Sequence, residues 1–287
     1  MPTPLITPTA ADRQMSAFST AVAPPIQASA WNLPDAAVRR RIVDSYQRRG
    51  YAIVYVPGVT PSAGHLSDLA AALRLGEVFT PPMYTESSHT AASGVSRLTA
   101  ASGGDHPFQD RAAQNVHCDG TLQSLGQVRT TLMLCVRAAA DGGASYLVNL
   151  VDAYAELRRV DPEAAEQLAH EAVLVRTSTF CSGKSTSGAA FARERDGSWT
   201  TRYSRTATDT YHPSPDGAAT LARALEFLDA AARAGSAFRT DFTLKPGHAL
   251  ILANDRLGHG RTAFCDDPSA PRLLLRALFT LRPRPLA

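Results

Sequence analysis

Three side chains in two short segments have the make-up of a metal site. The first segment is His117-Cys118-Asp119. On extended backbone, residues two apart project to the same face. The His117 imidazole and the Asp119 carboxylate then converge while Cys118 points away. The second segment, Asn254-Asp255-Arg256-Leu257-Gly258-His259-Gly260-Arg261, follows the apolar run Ala249 to Ala253. His259 thus stands where a buried strand reaches a site. Two imidazoles and one carboxylate leave coordination positions open, which suits non-haem Fe(II) that must also bind a cosubstrate and oxygen. The same set could hold catalytic zinc, although the HExxH pattern of helical zinc hydrolases is absent from the sequence. Each piece alone is weak. An HxD is often a polar pair in a turn, and a lone histidine is often a satisfied core residue.

A third segment is Arg272-Leu273-Leu274-Leu275-Arg276. On a strand, Arg272 and Arg276 share one face and Leu273 and Leu275 the other. Guanidiniums on the lining face of an apolar strand need anions, and arginine captures carboxylates bidentately. An interior ion pair with Asp or Glu is the competing reading. Arg202, Tyr203 and Arg205 lie on an expected strand, as pocket lining or as exposed polar positions. Gly183-Lys184-Ser185 matches only the end of a phosphate-binding loop, because Ser178 stands where its first glycine belongs. Residues 182–188 therefore read as a flexible loop.

The elements that must position these residues follow from periodicity. Asp35 caps a helix carrying Val38, Ile42 and Tyr46, and Gly50 closes it. Strands are expected at 51–56, 128–136, 144–149, 172–177, 199–204, 241–244, 249–253 and 273–281. Helices are expected at 62–75, 152–170 and 217–234. Residues 80–113 lack regular pattern, and irregular stretches of that length usually carry function or move; this one is expected to cover the site. Residues 1–30, rich in Pro, Thr, Ala and Ser, predict a mobile or loosely packed arm ahead of one domain over 31–287. Strands dominate the second half without strict βαβ alternation. The fold class is therefore α+β, mainly β: a double-stranded β-helix, or jelly roll, decorated with helices.

Composition narrows the function classes. The chain has 287 residues, 44% apolar and 19% charged, with a net charge of +3. That balance demands no nucleic acid, and Arg39, Arg40, Arg41, Arg48 and Arg49 read as a solvated helix face. No apolar run is long enough to span a membrane, and no secretory signal is evident. None of Cys118, Cys135, Cys181 and Cys265 forms a CxxC pair. Reduced thiols in a cytoplasmic enzyme are expected, with Cys118 a bystander beside the ligands.

Taken together and in order, these segments resemble the taurine-dioxygenase-like (TauD/TfdA) superfamily of Fe(II)/2-oxoglutarate-dependent oxygenases. The resemblance covers roughly 50–282. It rests on His117-Cys118-Asp119-Gly120-Thr121, Gly142-Gly143-Ala144-Ser145, Pro246-Gly247-His248 to Asn254, His259-Gly260-Arg261 and Arg272 to Arg276. It implies that His117, Asp119 and His259 ligate iron. Arg272 would bind the distal carboxylate of 2-oxoglutarate, with Ser145 bonded to the same group, although the turn here reads GGAS. Arg276 is a candidate for an acidic group on the substrate, and no catalytic residue beyond the ligands is implied. His248 stands where many relatives carry an acidic residue. The implied activity uses Fe(II), 2-oxoglutarate and O2 to hydroxylate a small molecule, releasing succinate and CO2. An amino acid or another carboxylate-bearing metabolite would suit Arg276, with specialised metabolism one setting. Desaturation, epoxidation and cyclisation use the same ligands, and Asp119 disfavours halogenation. A non-catalytic jelly-roll binding protein and a metal hydrolase are the competing classes. The implied partner is a small molecule, with no nucleic acid and no membrane, and relatives often form homo-oligomers.

Overall fold

The computed structural model describes residues 20–81, 93–100, 110–178 and 183–284. Its centre is the β-branched, apolar strand Thr130–Arg137. Alternation sends Leu132 and Leu134 to one side and Met133 and Cys135 to the other. Both sides are buried, so the strand reads as a continuous apolar run. Around it a six-stranded sheet runs in the order Ile26–Gln27, Tyr51–Tyr55, His248–Ala253, Thr130–Arg137, Leu273–Phe279, Ser96–Leu98. All pairs are antiparallel except the first. A second sheet orders Arg239–Phe242, Ser145–Asn149, Leu257–Arg261 and Gln114–His117, all antiparallel.

The two sheets face each other across one apolar layer. Ile53, Met133, Leu250 and Leu274 of the first meet Leu147, Phe242 and Leu257 of the second. The outer face of the first sheet is covered by helices Ala36–Arg49 and Ala63–Ala72. Helices Leu150–Val160, Pro162–Ala169 and Ala218–Ala231 cover the second. Such a two-sheet jelly roll with helices outside is the expected class. Asp35 caps the first helix by accepting from the Ala37 N–H at 2.7 Å. Gly50 ends it at φ 77, where a Cβ would lie 2.7 Å from the Leu257 side chain. The helix-to-strand turn can therefore press against the second sheet only as glycine.

Three expectations change. Of the stretch 1–30, residues 1–19 lie outside the described residues. Within 20–30, however, Ile26–Gln27 pairs in parallel with Val54 and Tyr55, and Ala23, Ile26 and Ala28 are buried. Two paired residues are too few to leave a periodic pattern. Within 80–113, Ser96–Leu98 is a strand against Leu274–Arg276, while 82–92 and 101–109 lie outside the described residues. Ser185–Gly188, read as loop, pairs with Leu174–Thr177; its serines and glycine hide the pairing because no apolar face alternates. Among the described residues, no helix is long and apolar enough to cross a membrane.

Candidate active site

His117 and His259 are register partners on adjacent strands of the second sheet. Their rings lie 4.2 Å apart, centroid to centroid. Asp119 follows on the turn out of the first strand, its Oδ2 3.8 Å from His259 Nε2. One donor atom from each of the three falls within 4.8 Å of the others, and all three residues are buried. Cys118 turns the other way into the core, where burial pushes its thiol pKa up.

Neighbouring groups set the protonation of the three. His117 Nδ1 donates to the Asn115 carbonyl at 2.9 Å, which leaves Nε2 as the lone-pair nitrogen. Burial lowers the His117 pKa, partly offset by Asp119. Burial and then the His117 neighbour bring His259 down to about 3. Burial alone would push Asp119 up, but Arg276, His259, His117 and Thr131 outweigh it and hold Asp119 at about 2. The trio is thus two neutral imidazoles and one carboxylate, the protonation states a divalent metal requires. The enclosed Nδ1 of His259 has no hydrogen-bond partner. Donor types, spacing and charge fit a divalent metal.

Several groups that the sequence reading passed over hold Asp119. Thr131 Oγ1 donates to its Oδ2 at 2.8 Å, from the central strand of the facing sheet. Asn254 accepts from the Asp119 N–H at 2.7 Å and donates to the Asp119 and Val128 carbonyls. Arg176 donates to the Cys118 and Gly120 carbonyls and pairs with Asp209 at 3.1 Å. Of these, only Asn254 left a sequence signal, through its place five residues before His259.

Beside the trio opens a cleft between the two sheets. Leu274, Met133 and Leu250 give it apolar walls, and His117, His259, Ser145, Arg272 and Arg276 line it. Arg272 and Arg276 share this face, while Leu273 and Leu275 pack under the helices. Arg276 donates to Asp119 Oδ1. Arg272 is buried, and among the described residues no carboxylate or carbonyl accepts from its side chain. Its guanidinium lies 5.1 Å over the Phe264 ring. Gly143, at φ 67, passes close to its Nε. Tyr203 is a core residue and Arg205 pairs with Asp229 at 2.9 Å, so neither lines the cleft. His248 lies outside the cleft, half-buried against the Tyr55 ring.

The family described as Taurine catabolism dioxygenase TauD, TfdA family matches residues 12–278. Uridine-5'-phosphate dioxygenase from Amycolatopsis sp is 37% identical over 247 residues, covering 85% of this chain and 90% of its own. The protein of the same name from Streptomyces sp is 38% identical over 243 residues, covering 82% and 87%. In fold, the chain is similar to asparagine oxygenase in complex with Fe(II), 2S,3S-3-hydroxyasparagine and succinate. The TM-score is 0.65 at 17% identity, covering 87% of this chain and 81% of that one. This chain belongs to the TauD, TfdA family of dioxygenases.

Proposed function

We propose that this dioxygenase uses Fe(II), 2-oxoglutarate and O2 to oxidise a phosphorylated nucleoside of the uridine-5'-phosphate class. The observation that carries the reading is the convergence of His117, Asp119 and His259 beside a cleft that Arg272 also lines. Similarity over most of the chain to two uridine-5'-phosphate dioxygenases supports the substrate class. The acidic group expected opposite Arg276 is therefore read as a phosphate rather than a carboxylate.

The chain's own residues divide the work. His117, Asp119 and His259 would hold the iron, with His117 oriented through Asn115 and Asp119 through Thr131. Arg272 would receive the distal carboxylate of 2-oxoglutarate, with Ser145 facing it from the other sheet across the cleft. A guanidinium between apolar walls binds a carboxylate more strongly than one in water. Met133, Leu250 and Leu274 would keep water from the reacting groups. Bound iron with 2-oxoglutarate and O2 supplies the C–H oxidation, releasing succinate and CO2. Arg276 lines the same cleft as Arg272, so an anionic group of the substrate would meet a second guanidinium there.

Anaerobic titration of the metal-free protein with Fe(II) and then 2-oxoglutarate tests the cosubstrate site. A weak visible charge-transfer band is expected, lost in His259→Ala and in Arg272→Ala at the same cosubstrate concentration. Succinate release is then measured with uridine-5'-phosphate. No band from folded, iron-loaded protein would reject the oxygenase reading, and a band without succinate release would reject the substrate.

A further inference from the structure

A second cation stands beside Arg272. Arg261 lines the same cleft and is 8% exposed. It lies two residues beyond His259, on the same face of strand Leu257–Arg261. Its register partner on the neighbouring strand is Ser145, as Leu147 is the partner of His259. Partners in an antiparallel pair project together, their Cβ atoms about 5 Å apart. Arg261 and Ser145 thus reach the cleft side by side from the second sheet. Arg272 faces them from the start of strand Leu273–Phe279 in the first.

The two guanidiniums share one ring. Their carbons lie 4.7 Å (Arg261) and 5.1 Å (Arg272) from the Phe264 centroid. Both charges therefore fall within one Debye length, about 10 Å at 0.1 M salt. Burial, and then the Arg272 charge, lower the Arg261 pKa to about 10, against the pull of Asp110 and Asp266. Arg261 is still a cation at neutral pH. Asp266 is the enclosed carboxylate beside the pair. Its side chain is buried, its Oδ1 accepts from the Arg272 N–H at 2.9 Å, and its Oδ2 accepts no hydrogen bond. At the rim, Asp110 and Arg111 are exposed, opposite in sign and screened by water. Two buried cations against one buried carboxylate leave surplus positive charge at this end of the cleft. Such a surplus is costly until an anion joins it.

Arg261 is placed to supply charge rather than contact. Its Nη1 donates to the Ala112 carbonyl and its Nη2 to the Asp110 carbonyl. Among the described residues, no carboxylate accepts from it. The carbonyls hold the guanidinium still, and a neutral donor would serve them as well. Its charge is spent on the cleft.

We propose that Arg261 is a specificity-determining residue for the cosubstrate, whose charge adds to that of Arg272 in selecting a 2-oxo acid with a distal carboxylate. The proposal rests on the reading of Arg272 as the receiver of that carboxylate. Arg272 makes the contact, and Arg261 deepens the potential around it. No bond is made or broken at either residue.

The test is calorimetric titration of Mn(II)-loaded protein with 2-oxoglutarate and with 2-oxopentanoate, which keeps the five-carbon chain and the keto acid but lacks the distal carboxylate. The ratio of the two Kd values reports selection for that group. The wild type should prefer 2-oxoglutarate. Arg261→Gln, which keeps a donor without the charge, should reduce the ratio about 5- to 30-fold, the scale of a unit charge several ångströms away in a partly screened cleft. Its 2-oxopentanoate Kd should stay within about twofold of wild type. Arg261→Lys, which keeps the charge, should retain most of the ratio. An unchanged ratio in Arg261→Gln overturns the proposal. So do equal losses of both ligands with a lowered Tm in Arg261→Gln and Arg261→Lys alike, the signature of a mere clamp on residues 110–112. Arg272→Ala separates the two readings without touching Arg261. It should lose the larger part of the ratio and keep a residual preference that the Arg261→Gln, Arg272→Ala double variant removes. No residual preference in Arg272→Ala overturns the proposal. An unchanged ratio in Arg272→Ala rejects the Arg272 reading, and a lower ratio in Arg261→Gln would then still support selection by Arg261. Equal affinities for the two acids in the wild type overturn both.

Discussion

A metal-binding carboxylate works at its full affinity only when it is held in place, and Asp119 is held from the opposite sheet. Thr131 Oγ1 reaches its Oδ2 at 2.8 Å from a strand that belongs to the other layer. Loss of such an outer partner typically weakens metal binding 10- to 100-fold. Thr131→Val should therefore weaken Mn(II) affinity by about that factor, whereas Thr131→Ser, which keeps the hydroxyl, should stay near wild type. Equal affinities for Thr131→Val and wild type by calorimetric titration would remove Thr131 from the site. The trio and Arg272 were legible in the sequence because their chemistry is carried by residue type at short spacing. Thr131, Asn254 and Arg176 were not. Asn254 meets Asp119 across 135 positions and Arg176 meets Cys118 across 58, and only the folded register brings them together. Threonine, asparagine and arginine at such separations resemble any surface polar residue.

Strand Leu257–Arg261 carries His259 but is not among the expected strands, because two of its five residues are glycine. The structure explains the glycines by space. A Cβ on Gly260 would lie 2.3 Å from Tyr146 Oη and 2.5 Å from the Gln114 carbonyl, and one on Gly258 would lie 2.6 Å from Val116. The strand is squeezed between its two neighbours, and that closeness sets His259 opposite His117. Gly260→Ala should push the strands apart. Overpacking of this kind costs about 1–3 kcal/mol, so Tm should fall by several degrees and metal affinity should fall with it. A Gly260→Ala protein with wild-type Tm and metal affinity would show that the neighbouring strands yield without disturbing His259. The apolar strands 130–137 and 248–253 were legible because both faces are buried in β-branched and apolar residues. Short strands such as Ser185–Gly188 were hidden because their identity comes from the partner they pair with.

Across the whole molecule, the jelly-roll class was readable from the strand-rich second half, whereas the layer each helix covers was not. Side-chain packing across the sheets decides it, and Arg256 shows how the layers are tied. From the turn before His259 it donates to the Tyr46 carbonyl on the first helix at 3.1 Å. Its own carbonyl accepts from the Val151 N–H on the helix over the other sheet. Asp152, on that second helix, sits in the same junction. Burial raises its pKa to about 6, against the opposing Asn149 hydrogen bond and the Arg256 charge. The native state therefore holds the Asp152 proton more tightly than the unfolded chain, whose carboxyl titrates near 4. The stability from this protonation is fully present below about pH 4 and is lost as pH rises through about 6. Asp152→Asn keeps an oxygen that accepts from Asn149 but carries no charge to desolvate. It should leave stability unchanged near pH 4 and add about 1–2 kcal/mol at pH 8, part of the value of a two-unit shift because the group is half-buried. In a chain of this length that is a Tm increase of about 2–8 °C. Thermal melts of both proteins at the two pH values decide it. An equal gain at pH 4 and pH 8 would mean that the substitution acts through packing, and no gain at pH 8 would mean that the junction already compensates the charge.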